Sequence, residues 1–174
     1  MLLDYDDRMV SIRPAISEDF DLLDGIENEA DRLLIERLNP DRWDVVSFGV
    51  ARASVPGYIL VAEVDSGTVV GFVQVIEVDG IAHLEQLSVL PEYGRHGYGR
   101  SLVEAAEDEA RRRGYKQLTL RTFAEVPWNA PFYTRMGFVE EEAATPFHQE
   151  LIRTEAKLGL DRYGRRIQMS VRLQ

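Results

Sequence analysis

The chain has 174 residues, 45% of them hydrophobic and 29% charged, with no cysteine. That length suits one domain burying roughly two-thirds of its unfolded surface, and the lack of cysteine removes disulfides, thiolate nucleophiles, Cys-ligated zinc and iron–sulfur clusters. The net charge of −10 gathers at the N-terminal end, where residues 1–31 hold ten acids against Arg8 and Arg13; this argues against a nucleic-acid partner, which needs a basic surface, and reads first as a solvated acidic face.

The opening MLLDYDDRMV is acidic where a signal peptide is basic, and the most apolar stretch, Thr68–Ile76, is too short to cross a bilayer. A cytoplasmic chain with no membrane partner is expected. Met9–Arg13 alternates as a strand up to Pro14, and Ser17 followed by Glu18 and Asp19 supplies a helix N-cap with an acidic first turn. Helical spacing then runs through Phe20, Leu22, Leu23 and Ile26 and again through Ala30, Leu33, Leu34 and Leu38, read as two short helices ending at Asn39-Pro40. Residues 41–57, with Trp43, Phe48 and Pro56, show no period and read as a loop or lid.

Tyr58–Val64 and Thr68–Val78, joined by Asp65-Ser66-Gly67, predict a hairpin, and Asp79-Gly80 turns the chain into a third strand, Ile81–Leu90. From Gly99 a helix carries Leu102, Val103, Ala106 and Ala110 on one side; Arg111, Arg112 and Arg113 suit its negative end, and Gly114 its left-handed cap. Then follow a strand over Lys116–Phe123, a short helix over Asn129–Met136, a strand at Phe138–Glu142, a helix over Thr145–Leu160 and a last strand, Arg166–Leu173. With no repeat, linker or low-complexity tract, residues 1–174 read as a single domain.

The segment from Leu87 to Ser101, LSVLPEYGRHGYGRS, runs from a strand through a glycine-rich turn into a helix. Gly94, Gly97 and Gly99 let successive backbone N–H groups converge, and a helix N-terminus adds about half a positive charge, so the junction suits a phosphate group. Arg95, His96 and Arg100 add basic side chains. The spacing G-x-x-G-x-G is neither the dinucleotide fingerprint G-x-G-x-x-G nor a P-loop, which needs Gly-Lys-Ser/Thr.

The order strand, helices, three-strand meander, glycine turn, helix, strand, helix, strand, with Phe132-Tyr133-Thr-Arg-Met-Gly137-Phe138 downstream, resembles the GNAT superfamily of acyl-CoA-dependent N-acetyltransferases. Leu87-Ser-Val89-Leu-Pro91 and Gly94-Arg95-His96-Gly97-Tyr98-Gly99 match its pyrophosphate loop, and the resemblance covers roughly Met9 to Phe138. Gly94 stands where the family usually has Gln or Arg. The resemblance implies an α/β (α+β) fold with a mixed, mainly antiparallel sheet flanked by helices. It also implies a splayed strand pair that binds acetyl-CoA. On that pattern the backbone at Leu87 and Val89 holds the pantetheine arm, and Arg95, His96, Gly97, Tyr98, Gly99 and Arg100 hold the pyrophosphate. Asn129 is a further pantetheine contact, although it also suits an N-cap before Ala130-Pro131.

Direct acyl transfer needs a base for the amine, a donor for the oxyanion and an acid for the departing thiolate. Tyr133 matches the family tyrosine and, with a phenol pKa near ~10, serves as the acid. Glu85 is the first choice of base, with His83 two residues earlier as an alternative if no bulge intervenes; the backbone N–H near Leu87 is the oxyanion donor. His148 and Trp43 read as packing or cleft residues. The histidines at 83, 96 and 148 lack metal-ligand spacing, so no metal is expected. The expected activity is acetyl transfer from acetyl-CoA to a primary amine on a small molecule. A protein lysine or N-terminus as acceptor and a noncatalytic acyl-CoA-binding module are the alternatives. The resemblance also brings a homodimer into view, since such folds often pair.

Overall fold

A computed structural model describes residues 9–65 and 67–174; the expectations for residues 1–8 and for Ser66 of the first hairpin turn fall outside them. The strands are β1 (Val10–Pro14), β2 (Gly57–Val64), β3 (Thr68–Val78), β4 (Ile81–Val89), β5 (Gln117–Phe123), β6 (Val139–Glu141) and β7 (Arg166–Arg172). The helices are α1 (Phe20–Leu38), α2 (Tyr98–Arg112), α3 (Ala130–Arg135) and α4 (Pro146–Lys157). All seven strands lie in one sheet in the order β1-β2-β3-β4-β5-β7-β6, antiparallel except where β4 meets β5.

Sequence alternation sorts the side chains onto two faces. One face of the meander and of β5 and β7 carries Val73, Val75, Leu84, Leu118, Leu120 and Met169, which pack under Leu102, Val103, Ala106 and Ala110 of α2 and under Ala130 and Tyr133 of α3. On the other face Val61, Val69 and Phe72 receive Leu23 and Ile26 of α1. Each fully buried Leu or Val on these faces contributes about 1.5–3 kcal/mol, which is what fixes both helices to the sheet. The turn from β3 to β4 places Asp79 at φ +50° and Gly80 at φ +79°, the paired left-handed conformation that lets a two-residue loop follow the strand twist.

Three local expectations are corrected. Residues 20–38 form one helix rather than two: no residue between Ile26 and Ala30 breaks the ladder, and the helix stops only at Asn39, whose left-handed N–H reaches Ile35 O at 2.8 Å before Pro40. Its entrance is set by Asp19 and not by Ser17. The Asp19 carboxylate takes the Ile16 N–H at 2.8 Å and both Arg13 Nη atoms at 2.7 and 3.1 Å, bonds that brace the turn leading into the helix. The last strand, whose alternation reads as closing the sheet, does not lie at its edge: β7 sits between β5 and β6.

The arginine run at the end of α2 is held by its neighbours. Arg111 pairs with Asp108, Arg112 and Arg113 with Glu109, and Arg113 also with Glu77 at 3.1 Å. This is helix-end electrostatics, as the charge pattern suggests.

Candidate active site

Strands β4 and β5 pair in parallel only from Ala82–Leu118 to Leu84–Leu120, although β4 continues to Val89 and β5 to Phe123. Beyond Leu84 they splay, and the gap opens a groove of about 1260 Å³. The cause lies next door. Gln74 of β3 faces Gln86 while the adjacent Val75 faces Leu84, so Glu85 is an extra residue in β4. Such a bulge bends its strand and sharpens the twist, which turns the end of β4 away from β5.

Glu85 is itself the bulged residue, and its carboxylate lies on the His83 side of the strand, with His83 Nε2 4.0 Å from Glu85 Oε2. Glu85 lines the groove with its side chain 46% exposed. Its pKa is raised above the usual carboxylate value, first by partial desolvation, then by the Glu155 charge, with Arg166 opposing. His83, by contrast, is 2% exposed, and its pKa is lowered to about 3, first by burial and then by His148 and Arg121. A ring so reluctant to ionise does not readily take up a proton.

Tyr133 of α3 lines the same groove. Its ring stands edge-on to Phe132 and Phe138, with centroids 5.1 and 5.5 Å away, and burial pushes its phenol pKa up. The group therefore stays protonated through the neutral range. Leu87 and Val89 line the groove where β4 has left β5.

At one end of the groove, Gly94, Arg95, Gly97, Tyr98, Gly99 and Arg100 curve around the start of α2. Arg95 and Gly97 adopt φ +62° and +82°. The first helical bond is Ser101 N–H to Gly97 O at 3.0 Å, which leaves the N–H groups of Tyr98, Gly99 and Arg100 as first-turn donors. A Cβ built on Gly97 meets no atom within 4 Å, so the space above it is open. Donors, dipole and open concavity fit the pyrophosphate of an acyl-CoA. His96 is the one member of the predicted set that does not line the groove. Its Nδ1 bonds Gly94 O at 2.7 Å and its ring stacks on Tyr98.

Asn129 lines the groove but does not cap α3. Its Oδ1 accepts the Thr122 hydroxyl at 2.7 Å, and the N-cap position carries no side-chain bond, because Thr122 at the end of β5 competes successfully for the amide oxygen. Among the described residues no cluster of three or more His, Asp or Glu is placed to hold a metal ion, and no helix is long and apolar enough to cross a membrane.

Sequence reasoning passed over two acids of the groove. Glu27 and Asp31 of α1 line the groove beside Trp43, whose Nε1–H donates to Asp31 Oδ2 at 3.2 Å. Burial raises the pKa of both acids, opposed at Glu27 by Arg52 and at Asp31 by Trp43. Arg52, 4% exposed, anchors residues 41–57: it pairs with Asp24 at 3.0 Å and with Glu27, donates to Gln74 at 3.2 Å and lies over the Phe48 and Phe72 rings. Nothing periodic marks Arg52 in the sequence; only its lone charge among apolar neighbours hints at a buried partner.

Similar folds recur among solved structures. The PaiA N-acetyltransferase of Thermoplasma acidophilum, in complex with coenzyme A, shares 17% identity at TM-score 0.67, covering 94% of this chain and 99% of that one. The spermidine N-acetyltransferase of Vibrio cholerae, with CoA and spermine, shares 19% at TM-score 0.65, covering 94% and 95%. A ribosomal-protein alanine N-acetyltransferase of Escherichia coli shares 21% at TM-score 0.65, covering 95% of each chain. The sequence pattern of the Acetyltransferase (GNAT) family matches residues 23–138, two-thirds of the length, and the chain therefore belongs to the GNAT family of acetyltransferases.

Proposed function

We propose that the protein moves an acetyl group from acetyl-CoA directly to a primary amine of a small cationic molecule, with Glu85 as general base and Tyr133 as general acid. The observation that carries this reading is that a single groove is lined by the α2 N-terminus, by Glu85 and by Tyr133 together. An alkyl ammonium has a pKa near ~10.4, so at neutral pH it must lose a proton before it can attack. Glu85, with its raised pKa, accepts that proton better than an ordinary carboxylate. The neutral amine forms the C–N bond, the thioester C–S bond breaks as the Tyr133 hydroxyl supplies its proton to the sulfur, and the second proton that the nitrogen sheds in becoming an amide returns to the Tyr133 phenolate.

The acidic wall supports a cationic acceptor. Glu27, Asp31 and Glu85 all face the groove, and a second positive group on the acceptor would restore the ionised state that burial disfavours at Glu27 and Asp31. Polyamines and other diamines have this form. A protein N-terminus is the second reading, favoured by the groove's reach from α1 to Tyr163 and Arg166, which leaves room for a peptide beside the cosubstrate.

The test is thiol release from acetyl-CoA with a panel of diamines, monoamines and N-terminal peptides. Diamine kcat/KM at least tenfold above that of monoamines of equal length supports the reading. Preference for peptides moves the acceptor to the second reading, and no release with any amine, despite saturable acetyl-CoA binding, leaves a noncatalytic acyl-CoA-binding module.

A further inference from the structure

Behind Glu85 lies a continuous line of polar atoms that acyl transfer does not use. The parallel register sets His83 of β4 beside Thr119 of β5, and His83 Nδ1 is 2.8 Å from Thr119 Oγ1. The same hydroxyl is 3.0 Å from His148 Nε2 of α4. His148 Nδ1 is in turn 2.8 Å from Oγ1 of Thr145, the N-cap of α4, which also accepts the His148 backbone N–H at 3.1 Å. His83, Thr119 and His148 are each at most 2% exposed, whereas Thr145 is only half-buried. At the inner end the half-exposed Glu85 carboxylate lies 4.0 Å from His83 Nε2, a gap that a small side-chain rotation closes.

We propose that His83, Thr119, His148 and Thr145 act as one hydrogen-bonded line that reverses direction with the charge of Glu85, giving the general base a rear path for exchanging its proton with solvent. This rests on the reading of Glu85 as the base.

Donor counting allows two states. In the first, Thr145 O–H donates to His148 Nδ1, His148 Nε2–H to Thr119, and Thr119 O–H to His83 Nδ1; His83 then presents Nε2–H to an ionised Glu85. In the second every arrow is reversed, and a protonated Glu85 donates to the bare Nε2. Each hydroxyl has one hydrogen and two lone pairs, and each neutral ring one donor and one acceptor, so both states satisfy every member. The Ala82 carbonyl also approaches Thr119 Oγ1, at 3.4 Å, farther than either ring.

The two states interconvert with balanced protons. One proton enters at Thr145 Oγ1 from water; each member passes one N–H or O–H proton inward; one proton leaves His83 Nε2 for the Glu85 carboxylate. The reverse sequence empties Glu85. No imidazolium forms at any stage, which agrees with the depressed pKa of His83 and with that of His148, lowered mainly by burial. The charged groups around the line fit neutral rings. Arg121 of β5 acts on both histidines; Glu155 of α4, held by Arg121 and Arg166, acts on His83; Glu141 of β6 acts on His148; Glu85 lies at the inner end. Phe147 closes the side of the His83 ring, with centroids 5.3 Å apart.

The experiment reads the ring tautomers by ¹⁵N NMR of the full chain without ligands, from pH 8 to pH 4.5. Both rings are expected to remain neutral and to change from Nε2–H to Nδ1–H with one shared midpoint. Glu85→Gln should abolish the change. In Thr119→Val, which keeps the shape but not the hydroxyl, His148 should stop following His83, and Thr119→Ser should restore the coupling. A merely structural bond network predicts tautomers that do not respond to Glu85. Rings that protonate to imidazolium separately, or a His148 that never moves with His83, would overturn the line while leaving acetyl transfer untouched. A Glu85→Gln protein with full turnover would instead remove the base reading on which the line's role depends.

Discussion

Tyr133→Phe removes one oxygen and leaves the ring. The edge-on contacts to Phe132 and Phe138 remain, and among the described residues the phenolic oxygen has no hydrogen-bond partner to lose. Stability should therefore change by less than about 1 kcal/mol, measured by urea unfolding. Acetyl-CoA affinity, measured by calorimetry, should stay within about threefold, because the donors that fit the pyrophosphate lie at the start of α2. Turnover should fall about 10²-fold, the low end for a positioned proton donor, which is ~2.7 kcal/mol of barrier at 1.36 kcal/mol per decade. Because burial raises the phenol pKa, the loss should be the same at every pH from about 6 to 9, a range in which an ordinary phenol of pKa ~10 is also protonated. Thiol release within threefold of the parent enzyme would refute the acid role, and a large fall in acetyl-CoA affinity would recast Tyr133 as a binding residue.

Three further outcomes follow from other parts of the structure. As the proposed base Glu85 must be ionised to act, and its pKa is raised, so kcat/KM should climb with pH through a midpoint above the ordinary value of ~4.3; Glu85→Gln should lose that limb and at least about 10²-fold in rate. Gly97→Val places a branched side chain at φ +82° in the open space over the α2 N-terminus; a fall in acetyl-CoA affinity of at least about tenfold is expected by calorimetry, beside a strain of about 1–2 kcal/mol. Asp19→Ala should cost about 2–3 kcal/mol, since it frees a half-buried Arg13 and the Ile16 N–H. The pKa of Asp19 is lowered, chiefly by its bond to Arg13, so this contribution is complete above the unfolded-state value near ~3.9 and is lost as pH falls through the folded one. The gap between parent and variant in urea unfolding should therefore close on acidification.

The meander, the glycine turn and helix α2 were legible because each rests on local chemistry: β-branched alternation, left-handed turn residues and a one-sided apolar stripe. The placement of Tyr133 and Glu85 on one groove followed from the family resemblance and from strand parity. What the sequence hid was non-local. The bulge at Glu85 exists only in the register between β3 and β4; had it fallen one residue earlier, His83 and Glu85 would have faced opposite sides. Asn129 suits a cap by residue type, yet Thr122, seven positions away on another element, takes its oxygen. Arg52 looks like a surface residue in a linear reading and His148 like a packing or cleft residue, and each is buried by partners from two distant segments that the linear reading does not bring together.

The position of β7 bears on how the chain acquires its structure. Residues 166–172 wedge between β5 and β6, forming seven register pairs with one neighbour and three with the other. A polypeptide that stops short of Arg166 therefore has two exposed sheet edges in its interior. During synthesis, residues 10–89 find all their antiparallel partners within their own span, with only the outer edge of β4 awaiting β5, while the β5 half waits for residues 166–172 to emerge. Shortening the chain by ten residues would split the sheet rather than trim it, and would leave unpaired strand edges of the kind that drives aggregation.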